Sequence, residues 1–338
     1  MNRRSLSVGK LDPTTLKQVI FNRLGVKDPR VILGPDIGED ATVIDFGDRA
    51  LLVHSDPITG AIENIGWHAV NVCANDIATR GVRPLWILAV LLLPEDVNAD
   101  QLKKITDQID KAAKQLCVAV VGGHSEVTPG IDRPIIITTA LGETPKGKFV
   151  RTSGAQIGDS IIITKGAAIE GTAILAHELE TVLSAKLDKE IISRGKRFMK
   201  KISVVKEALT AVEVGGVHAM HDATEGGIAV GLQEIAWASN VGIIAHEKKI
   251  PIYKETEIIC QALEIDPLKT ISSGALIIAA SSQKTEEILA ALKDQHIRAV
   301  MVGKVVDMKE GINIIRNDGT KLDLSNPMKE ELWKALKK

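Results

Sequence analysis

An acidic loop bracketed by glycines leads into an apolar run near the start of the chain. Residues 34–40 read Gly-Pro-Asp-Ile-Gly-Glu-Asp, and the next four, Ala-Thr-Val-Ile, are typical of a strand. Carboxylates this close together repel one another unless a cation joins them. Glycine admits backbone conformations closed to other residues, which lets a loop approach a ligand. Taken alone the loop also fits a solvated acidic turn, but similar acidic positions recur down the chain near the ends of apolar runs.

The length and composition indicate a globular protein of two domains with aliphatic cores. At 338 residues the chain is too long for one ordinary core. Hydrophobic residues make up 45% and aromatic residues only 3%, so Ile, Val, Leu and Ala must fill the interior. The formal net charge of -1 provides no basic field, which argues against nucleic acid as a partner.

The three cysteines predict neither a disulfide framework nor a structural zinc site. Cys73, Cys117 and Cys260 lie far apart, are odd in number and form no CxxC pair. All three stand among apolar neighbours and are predicted to be buried small hydrophobic residues.

No segment of the sequence predicts export or membrane insertion. The first ten residues are basic but lack the apolar stretch of a signal peptide. The longest apolar run, residues 85–93, lies between two prolines and is too short to span a bilayer. It predicts a strand that is buried on both faces. We therefore expect a cytoplasmic protein without a membrane partner.

Helices and strands alternate along the chain in a pattern that favours α+β domains. The first half contains predicted helices near residues 14–24, 67–80 and 98–116 and predicted strands at 41–46, 50–54, 85–93, 118–121 and 135–140. The pattern restarts after Thr152, which divides the chain into domains of residues 1–152 and 153–338. A long helical stretch is predicted over about residues 189–214. No GxGxxG follows the first strand, so a dinucleotide-binding fold has no support.

Two further carboxylates occupy positions that suit ligand binding. Asp56 ends a predicted strand, directly after Ser55. Asp76 lies in a helical run in which Asn71 and Asn75 are one turn apart on a common face. Burying such groups is costly unless they meet polar partners. The alternative is a polar helix edge that faces water.

Two more glycine-containing loops carry polar groups. Residues 122–126 read Gly-Gly-His-Ser-Glu between two predicted strands, and residues 221–227 read His-Asp-Ala-Thr-Glu-Gly-Gly before a predicted helix. Backbone N–H groups at a helix start favour an anion. An ordinary capped helix start explains this last loop equally well.

Taken together, these positions fit magnesium ions that hold phosphates. Separated carboxylates and glycine loops with few dedicated basic residues suit a site in which Mg²⁺ supplies the positive charge. No GxxxxGK[ST] is present, so this is not a Walker motif. Calcium fits less well because the carboxylates come from distant segments and not from one EF-hand loop. Zinc fits less well because the eight histidines show no HExxH spacing.

Five motifs, in order, resemble those of the aminoimidazole ribonucleotide synthase superfamily. They are Gly38-Glu39-Asp40-Ala41, Ser55-Asp56, Asn75-Asp76 followed by Arg80-Gly81-Val82-Arg83-Pro84, Gly122-Gly123-His124-Ser125-Glu126, and Asp222-Ala223-Thr224-Glu225-Gly226-Gly227. The resemblance spans nearly the whole chain. It is closest to the HypE-like hydrogenase maturation factors, notably in residues 250–252, 260–268 and 273–274.

The resemblance implies a PurM-like two-domain α+β fold. The N-terminal domain is expected to pair with that of a second copy into a dimeric β-barrel-like core, followed by an α+β C-terminal domain. The resemblance also implies that ATP and Mg²⁺ bind in the cleft. Members of the superfamily typically transfer the γ-phosphoryl group of ATP, often to an amide or carbonyl oxygen.

The resemblance further assigns roles to individual residues of this chain. The expected magnesium ligands are Glu39, Asp40, Asp56, Asp76 and Asp222. The expected nucleotide contacts are Gly38, Ser55, Asn75, Gly122, Gly123, Thr224, Gly226 and Gly227. The expected catalytic residues are His124 and Glu126. In such a site the carboxylates fix the metals, and the metals neutralise charge that develops on the transferred group.

Two departures from the family pattern bear on function. HypE-like proteins end in a cysteine that carries a carbamoyl group, whereas this sequence ends Leu-Trp-Lys-Ala-Leu-Lys-Lys, so self-carried carbamoyl dehydration is not expected. His124 stands where members generally have an acidic residue. It is interpreted as a phosphate donor, a general base, a metal ligand, or a histidine satisfied by neighbouring backbone. No cysteine precedes Cys73, which disfavours a selenophosphate-type reaction.

Two functions of different classes are left open by the sequence. The first is an ATP- and Mg²⁺-dependent enzyme, either a kinase or an amide-activating synthase that acts on a small-molecule acceptor. The second is a non-catalytic ATP-binding dimeric scaffold that assists the maturation of another protein. The intact set of carboxylates favours the enzyme, because a scaffold has little need for several metal ligands.

Overall fold

The computed structural model describes residues 9–59 and 63–337, which fold around two mixed β-sheets. Residues 1–8, where the sequence predicts no signal peptide, lie outside the described residues. The strands are β1 Val31–Leu33, β2 Thr42–Phe46, β3 Arg49–Ile58, β4 Pro84–Leu93, β5 Ala119–Val127, β6 Ile135–Pro145, β7 Ser160–Thr164, β8 Val217–Asp222, β9 Gly242–His246, β10 Leu276–Ala280, β11 Ala299–Val306, β12 Ile312–Ile315 and β13 Lys321–Asp323. The α-helices are α1 Pro13–Thr15, α2 Ile65–Ala78, α3 Ala99–Leu116, α4 Ile169–Glu178, α5 Glu180–Ser184, α6 Lys189–Lys196, α7 Val205–Val214, α8 Gly227–Ser239, α9 Lys254–Leu263, α10 Thr285–Asp294 and α11 Leu332–Leu336.

The N-terminal sheet has six strands in the order β1-β2-β3-β6-β4-β5. Its central strands alternate buried and more exposed residues, because one face packs against helix α2 and the other does not. This pattern corrects the prediction that residues 85–93 are buried on both faces. Leu88, in the middle of that strand, is 38% exposed.

The C-terminal sheet has seven strands in the order β13-β12-β9-β11-β7-β10-β8, and both of its faces are covered. Every residue of β7 and of β10 is buried. Ile161 and Ile163 point into a core formed with α8, whereas Ile162 joins a larger core that continues into the N-terminal half. The run of apolar residues in these strands therefore reflects burial on two sides.

Helix α2 connects the two halves of the molecule, and all of its residues are buried. Trp67 Nε1 donates a hydrogen bond to the carbonyl oxygen of Met199 at 2.9 Å. The side chain of Asn75 donates to the carbonyl oxygen of Ile202 at 2.9 Å and accepts from the backbone N–H of Val204 at 2.8 Å. These bonds fix the C-terminal half against α2.

The helical stretch predicted over residues 189–214 is mostly helical but is not one continuous helix. The structure has α6, a 3₁₀ segment over Arg197–Lys201, and then α7. Backbone groups between the two helices, at Ile202 and Val204, bond to Asn75 and so are not available to a continuous helix.

Residues 122–126, which were predicted to form a glycine loop, are instead part of strand β5. This strand pairs in parallel with β4. Gly123 lies opposite Ala89, and a Cβ at Gly123 would come within 1.8 Å of the Ala89 carbonyl oxygen. The glycine therefore permits a close approach of two strands. All nine residues of β5 are exposed.

The remaining fold predictions have mixed outcomes. The two-domain α+β fold is confirmed by the two sheets and their helices. Cys73 and Cys260 are buried as predicted, but Cys117 is exposed at the C-terminal end of α3. Within the described residues, no helix combines the length and apolar character needed to cross a membrane.

Candidate active site

Four carboxylates from distant segments converge where the two halves meet. Asp40 precedes β2, Asp56 lies on β3, Asp76 lies on α2 and Asp222 ends β8. One ligand atom each of Asp40, Asp222 and His221 lie within 4.8 Å of one another. Burial, together with the charges of the other three carboxylates, raises the pKa of Asp76. The structure thus brings together four of the five predicted metal ligands.

Arg80 neutralises the first part of this cluster. Its guanidinium, which is fully buried, lies 2.5 Å from Glu39 Oε2 and 2.8 Å from Asp40 Oδ2. It also donates to Thr152 Oγ1 at 2.6 Å. Glu39 accepts a further bond from the Ser153 hydroxyl at 2.9 Å. The predicted metal ligand Glu39 is therefore occupied by a protein cation in this structure.

His221 supplies a second positive charge. Its Nδ1 lies 2.7 Å from Asp40 Oδ1 and its Nε2 lies 2.6 Å from Glu234 Oε2. Burial opposes the charged imidazole, but the two carboxylates raise the pKa of His221 to about 10. Carboxylates near both ring nitrogens favour the imidazolium, and an imidazolium offers no lone pair to a metal.

Lys10 completes a set of three acids and three cations, which we call the paired half. Lys10 Nζ lies 3.1 Å from Glu234 Oε1. Burial would raise the pKa values of Asp40 and Glu234, but the neighbouring cations hold both below their ordinary range. Its members are Glu39, Asp40, Glu234, Arg80, His221 and Lys10.

Asp56, Asp76 and Asp222 form the unpaired half. Burial, with the charges of Glu225 and Glu170, raises the pKa of Asp56 to about 7. Burial and the charge of Asp40 raise the pKa of Asp222 to about 7 as well. Neither carboxylate oxygen of Asp222 has a hydrogen-bond partner among the described residues. Buried carboxylates without donors are unstable as anions unless a cation joins them.

The nearest histidine does not supply this missing charge. His54 Nε2 lies 3.3 Å from Asp76 Oδ2. Because burial lowers the pKa of His54, its imidazole is neutral at pH 7. The unpaired half therefore needs charge from outside the protein. Carboxylate oxygens are the ligands that Mg²⁺ prefers.

A buried histidine–carboxylate pair lies beside Asp56. His68 Nε2, on α2, lies 2.6 Å from Glu170 Oε1, on α4. Glu170 also accepts from the backbone N–H of Ser273 at 3.2 Å. Burial would raise the pKa of Glu170, but the charge of His68 lowers it. The charges of both residues act on Asp56, so the pair extends the site towards α4.

The third glycine loop, residues 221–227, leads into helix α8, as predicted. A carboxylate of the protein itself accepts from the backbone N–H at this helix start, where an anion was expected. The backbone N–H of Gly226 donates to Glu330 Oε2 at 2.5 Å. Gly227 has a φ of 61°, and a Cβ there would lie 2.4 Å from the Thr270 carbonyl oxygen. The N–H of Thr224 is directed to the carbonyl oxygen of Asp222 within the loop. Nucleotide contacts by Thr224, Gly226 and Gly227 stay a prediction.

Three other predicted nucleotide contacts lie on or near the cluster. Gly38 has a φ of 79°, and a Cβ there would lie 3.1 Å from the carbonyl oxygen of Glu234. The Ser55 hydroxyl accepts from Thr139 Oγ1 at 3.0 Å. The nitrogen and the oxygen of the Asn75 side-chain amide both bond to the C-terminal half. Asn75 therefore has a structural role. Direct contact of these residues with a nucleotide stays a prediction.

His124 and Glu126 lie apart from the carboxylates in a single chain. They are on the exposed edge strand β5, where His124 Nε2 and Glu126 Oε2 are 3.1 Å apart. Their side chains are 63% and 48% exposed. Among the described residues, no hydrogen bond or ion pair joins them to the cluster. Gly122 and Gly123 precede them on the same strand, and the roles of all four stay predictions.

Comparison with known proteins identifies the family. The description "AIR synthase related protein, N-terminal domain" matches residues 38–144, and "AIR synthase related protein, C-terminal domain" matches residues 156–315. A putative hydrogenase expression/formation protein from Methanocaldococcus jannaschii is 30% identical over 313 residues, which cover 90% of this chain and 91% of that protein. The chain belongs to the AIR synthase related family, as a HypE-like member.

Two further similarities support this assignment. The carbamoyl dehydratase HypE of Cupriavidus necator is 30% identical over 248 residues, which cover 72% of this chain and 68% of that protein. A crystal structure of the hydrogenase maturation protein HypE in complex with ATP superposes with a TM-score of 0.72. It is 26% identical and covers 98% of each chain. The PurM-like resemblance inferred from the motifs is therefore confirmed.

Sequence reasoning did not assign roles to the cations of the site. Arg80 directly follows the Asn75-Asp76 motif, and His221 directly precedes Asp222, so both were visible beside predicted ligands. Glu234 and Lys10 carry no local signal, because they reach the cluster only through the packing of α8 and of the N-terminal segment. The sequence likewise gives no local signal for His68 and Glu170, since they pair across the two halves of the molecule.

Proposed function

We propose that this protein is an ATP- and Mg²⁺-dependent phosphoryl-transfer enzyme. It would transfer the γ-phosphoryl group of ATP to an amide or carbonyl oxygen, or to another acceptor atom of a small molecule. The observation that carries this proposal is the unpaired half: three converging carboxylates, none of which forms an ion pair with a lysine or an arginine among the described residues. The relative crystallised with ATP supports the choice of nucleotide.

The chemistry of the donor set fits magnesium. Asp56, Asp76 and Asp222 offer only oxygen ligands, and His221, the nearby nitrogen donor, is held as a cation by Asp40 and Glu234. A site of three carboxylates with one blocked imidazole disfavours zinc. Bound Mg²⁺ would supply the positive charge that phosphoryl transfer requires.

The protein's own residues have separate tasks in this scheme. The unpaired half would hold the ions, while Arg80 and His221 keep Glu39 and Asp40 in place. Because Arg80 is completely buried, it acts by positioning carboxylates and does not touch substrate. Positioning and preorganised charge supply most of the catalysis in phosphoryl transfer.

The proposal is tested by titrating the protein with ATP in the presence of Mg²⁺ and by following ADP release with candidate acceptors. Asp76→Asn and Asp222→Asn should slow ADP release by more than the roughly 10- to 100-fold that loss of an outer-shell partner costs. Asp110→Asn is a matched control, because Asp110 lies exposed on α3 with Lys114 as its partner. Failure of the wild type to bind ATP, or unchanged turnover in Asp222→Asn, would refute the proposal.

A second candidate function is an ATP-binding scaffold for the maturation of another protein. The similar proteins named for hydrogenase expression and formation favour it. Two results together would support the scaffold over the enzyme. The first is tight ATP binding without turnover with any acceptor. The second is a complex with the partner protein that Asp222→Asn forms as well as the wild type does.

We also propose that the chain is a homodimer that pairs through the N-terminal sheet. The edge strand β5 exposes Val120, Val121 and Val127 by 46%, 55% and 56%, next to Leu88 on β4. A row of apolar side chains on an unpaired strand edge favours pairing with another chain. Light scattering tests the mass, and Val121→Lys should yield monomers. The cytoplasmic location stays a prediction, which cell fractionation tests.

A further inference from the structure

The cations around the acidic cluster differ greatly in their access to a ligand. Arg80 is 0% exposed at its side chain and His221 is 3% exposed, whereas Lys10 is 46% exposed. Arg80 and His221 each bridge two carboxylates. Among the described residues, Lys10 has one hydrogen-bond partner, Glu234. Its ammonium group has three donors, so two of them are free to meet a ligand.

Lys10 lies over the cluster and is not remote from it. Its positive charge acts on Asp56 in the unpaired half as well as on Glu234 in the paired half. The charges of Glu225 and Asp40 act on Lys10 in turn. Lys10 pairs with Glu234, whose other carboxylate oxygen contacts His221 next to Asp222, so its ammonium group lies near the carboxylates that would hold the magnesium ions.

The backbone that carries Lys10 is held by the other end of the chain. Gly9 packs against the indole of Trp333 in α11, such that a Cβ on Gly9 would lie 3.3 Å from Trp333 Nε1. On the other side, Asp12 caps α1 by accepting from the Thr15 N–H at 2.9 Å. These contacts fix the main chain on both sides of Lys10, while its flexible four-carbon stem leaves the ammonium group free to move.

We propose that Lys10 contacts the terminal phosphate of the bound nucleotide and so sets the preference for a triphosphate. The inference rests on the proposed function, since it requires a nucleotide at the acidic cluster. On binding, the ammonium group would turn from Glu234 to the phosphate oxygens as a mobile point charge. Glu234 would keep His221 as its partner, so no carboxylate is left without a cation.

The test compares binding of ATP and ADP, each with Mg²⁺, by calorimetry for wild type, Lys10→Met, Lys10→Arg and Lys17→Met. Lys17 is a matched control because it is exposed in the helical segment Leu16–Ile20 and belongs to no ion pair among the described residues. Lys10→Met should weaken ATP binding by about 10-fold or more and leave ADP binding nearly unchanged, since a lost charged hydrogen bond has roughly this effect. Lys10→Arg should keep part of the preference, and Lys17→Met all of it.

The double variant Lys10→Met/Glu234→Gln separates phosphate contact from charge balance. If Lys10 merely neutralises Glu234, removing that carboxylate restores ATP binding, and the proposal is wrong. If Lys10 contacts the phosphate, the double variant stays defective for ATP. Equal ATP-over-ADP preference in wild type and Lys10→Met would also refute the role of Lys10. A wild type that binds neither nucleotide would instead refute the proposed function.

Discussion

The paired and unpaired halves of the acidic cluster are built from the same residue types but differ in how their charge is balanced. In the paired half, Arg80 and His221 lie within 2.8 Å of the carboxylates that they neutralise. In the unpaired half, Asp222 has no donor among the described residues, and burial raises its pKa. The first arrangement stabilises the fold without a ligand, whereas the second is stable as an anion only with one. The same side chain thus serves structure or binding according to its neighbours.

The largest expected effect comes from breaking the paired half. Arg80→Met leaves Glu39 buried without its cation and Asp40 with His221 alone, so the free energy of unfolding should fall by about 3 to 5 kcal/mol. Urea denaturation followed by circular dichroism measures this loss. Asp222→Asn, in the unpaired half without metal, should be neutral or stabilising. If both variants lose equal stability, the distinction between the halves is wrong.

Added Mg²⁺ should stabilise the folded protein through the unpaired half alone. With Mg²⁺ at about 100 times its dissociation constant, the wild type should gain about 2.7 kcal/mol in stability, because the ion binds the folded state. A thermal shift assay measures the gain with and without EDTA. Asp222→Asn should gain much less, and Asp110→Asn should match the wild type. An equal gain in Asp222→Asn would mean that the ion binds elsewhere.

The pH dependence of the free energy of unfolding should also distinguish the unpaired half from the paired half, with a smaller effect. In EDTA, the folded pKa values of Asp56 and Asp222 are about 7, above the unfolded value near 3.9, so the folded state binds more protons between these pH values. Stability should therefore fall as pH rises from about 4 to 7. Asp222→Asn should flatten this slope. A slope that is unchanged in the variant would contradict the raised pKa of Asp222.

Much of the fold and part of the site were predictable from the sequence. The acidic positions at the ends of apolar runs led to Asp40, Asp56, Asp76 and Asp222, which the structure brings together. Local signals marked these positions: Asp40 lies in a glycine-bracketed loop, Asp56 ends a predicted strand and Asp76 follows Asn75 in a predicted helix. The charge balance was not predictable, since Lys10 and Glu234 meet only after residues 224 positions apart have packed together.

The errors in the predicted secondary structure also arise from contacts between residues that are distant in the sequence. The glycines of β5 indicated a loop, but their small size instead permits close contact with β4. The helical pattern over residues 189–214 was interrupted because Asn75, far away in the sequence, bonds the backbone at Ile202 and Val204. Tertiary contacts overrode local preference in both cases.

The position of Asn75 has a mechanical consequence. Asn75 is fastened to the C-terminal half, and Asp76, the next residue in the same rigid helix, faces the site. Neighbouring residues of an α-helix cannot shift independently, so a swing of the C-terminal half away from this helix would have to break the Asn75 bonds near Asp76. Substrate access by wide separation of the two halves is thereby disfavoured, and smaller movements of surface segments are left to admit and release ligands.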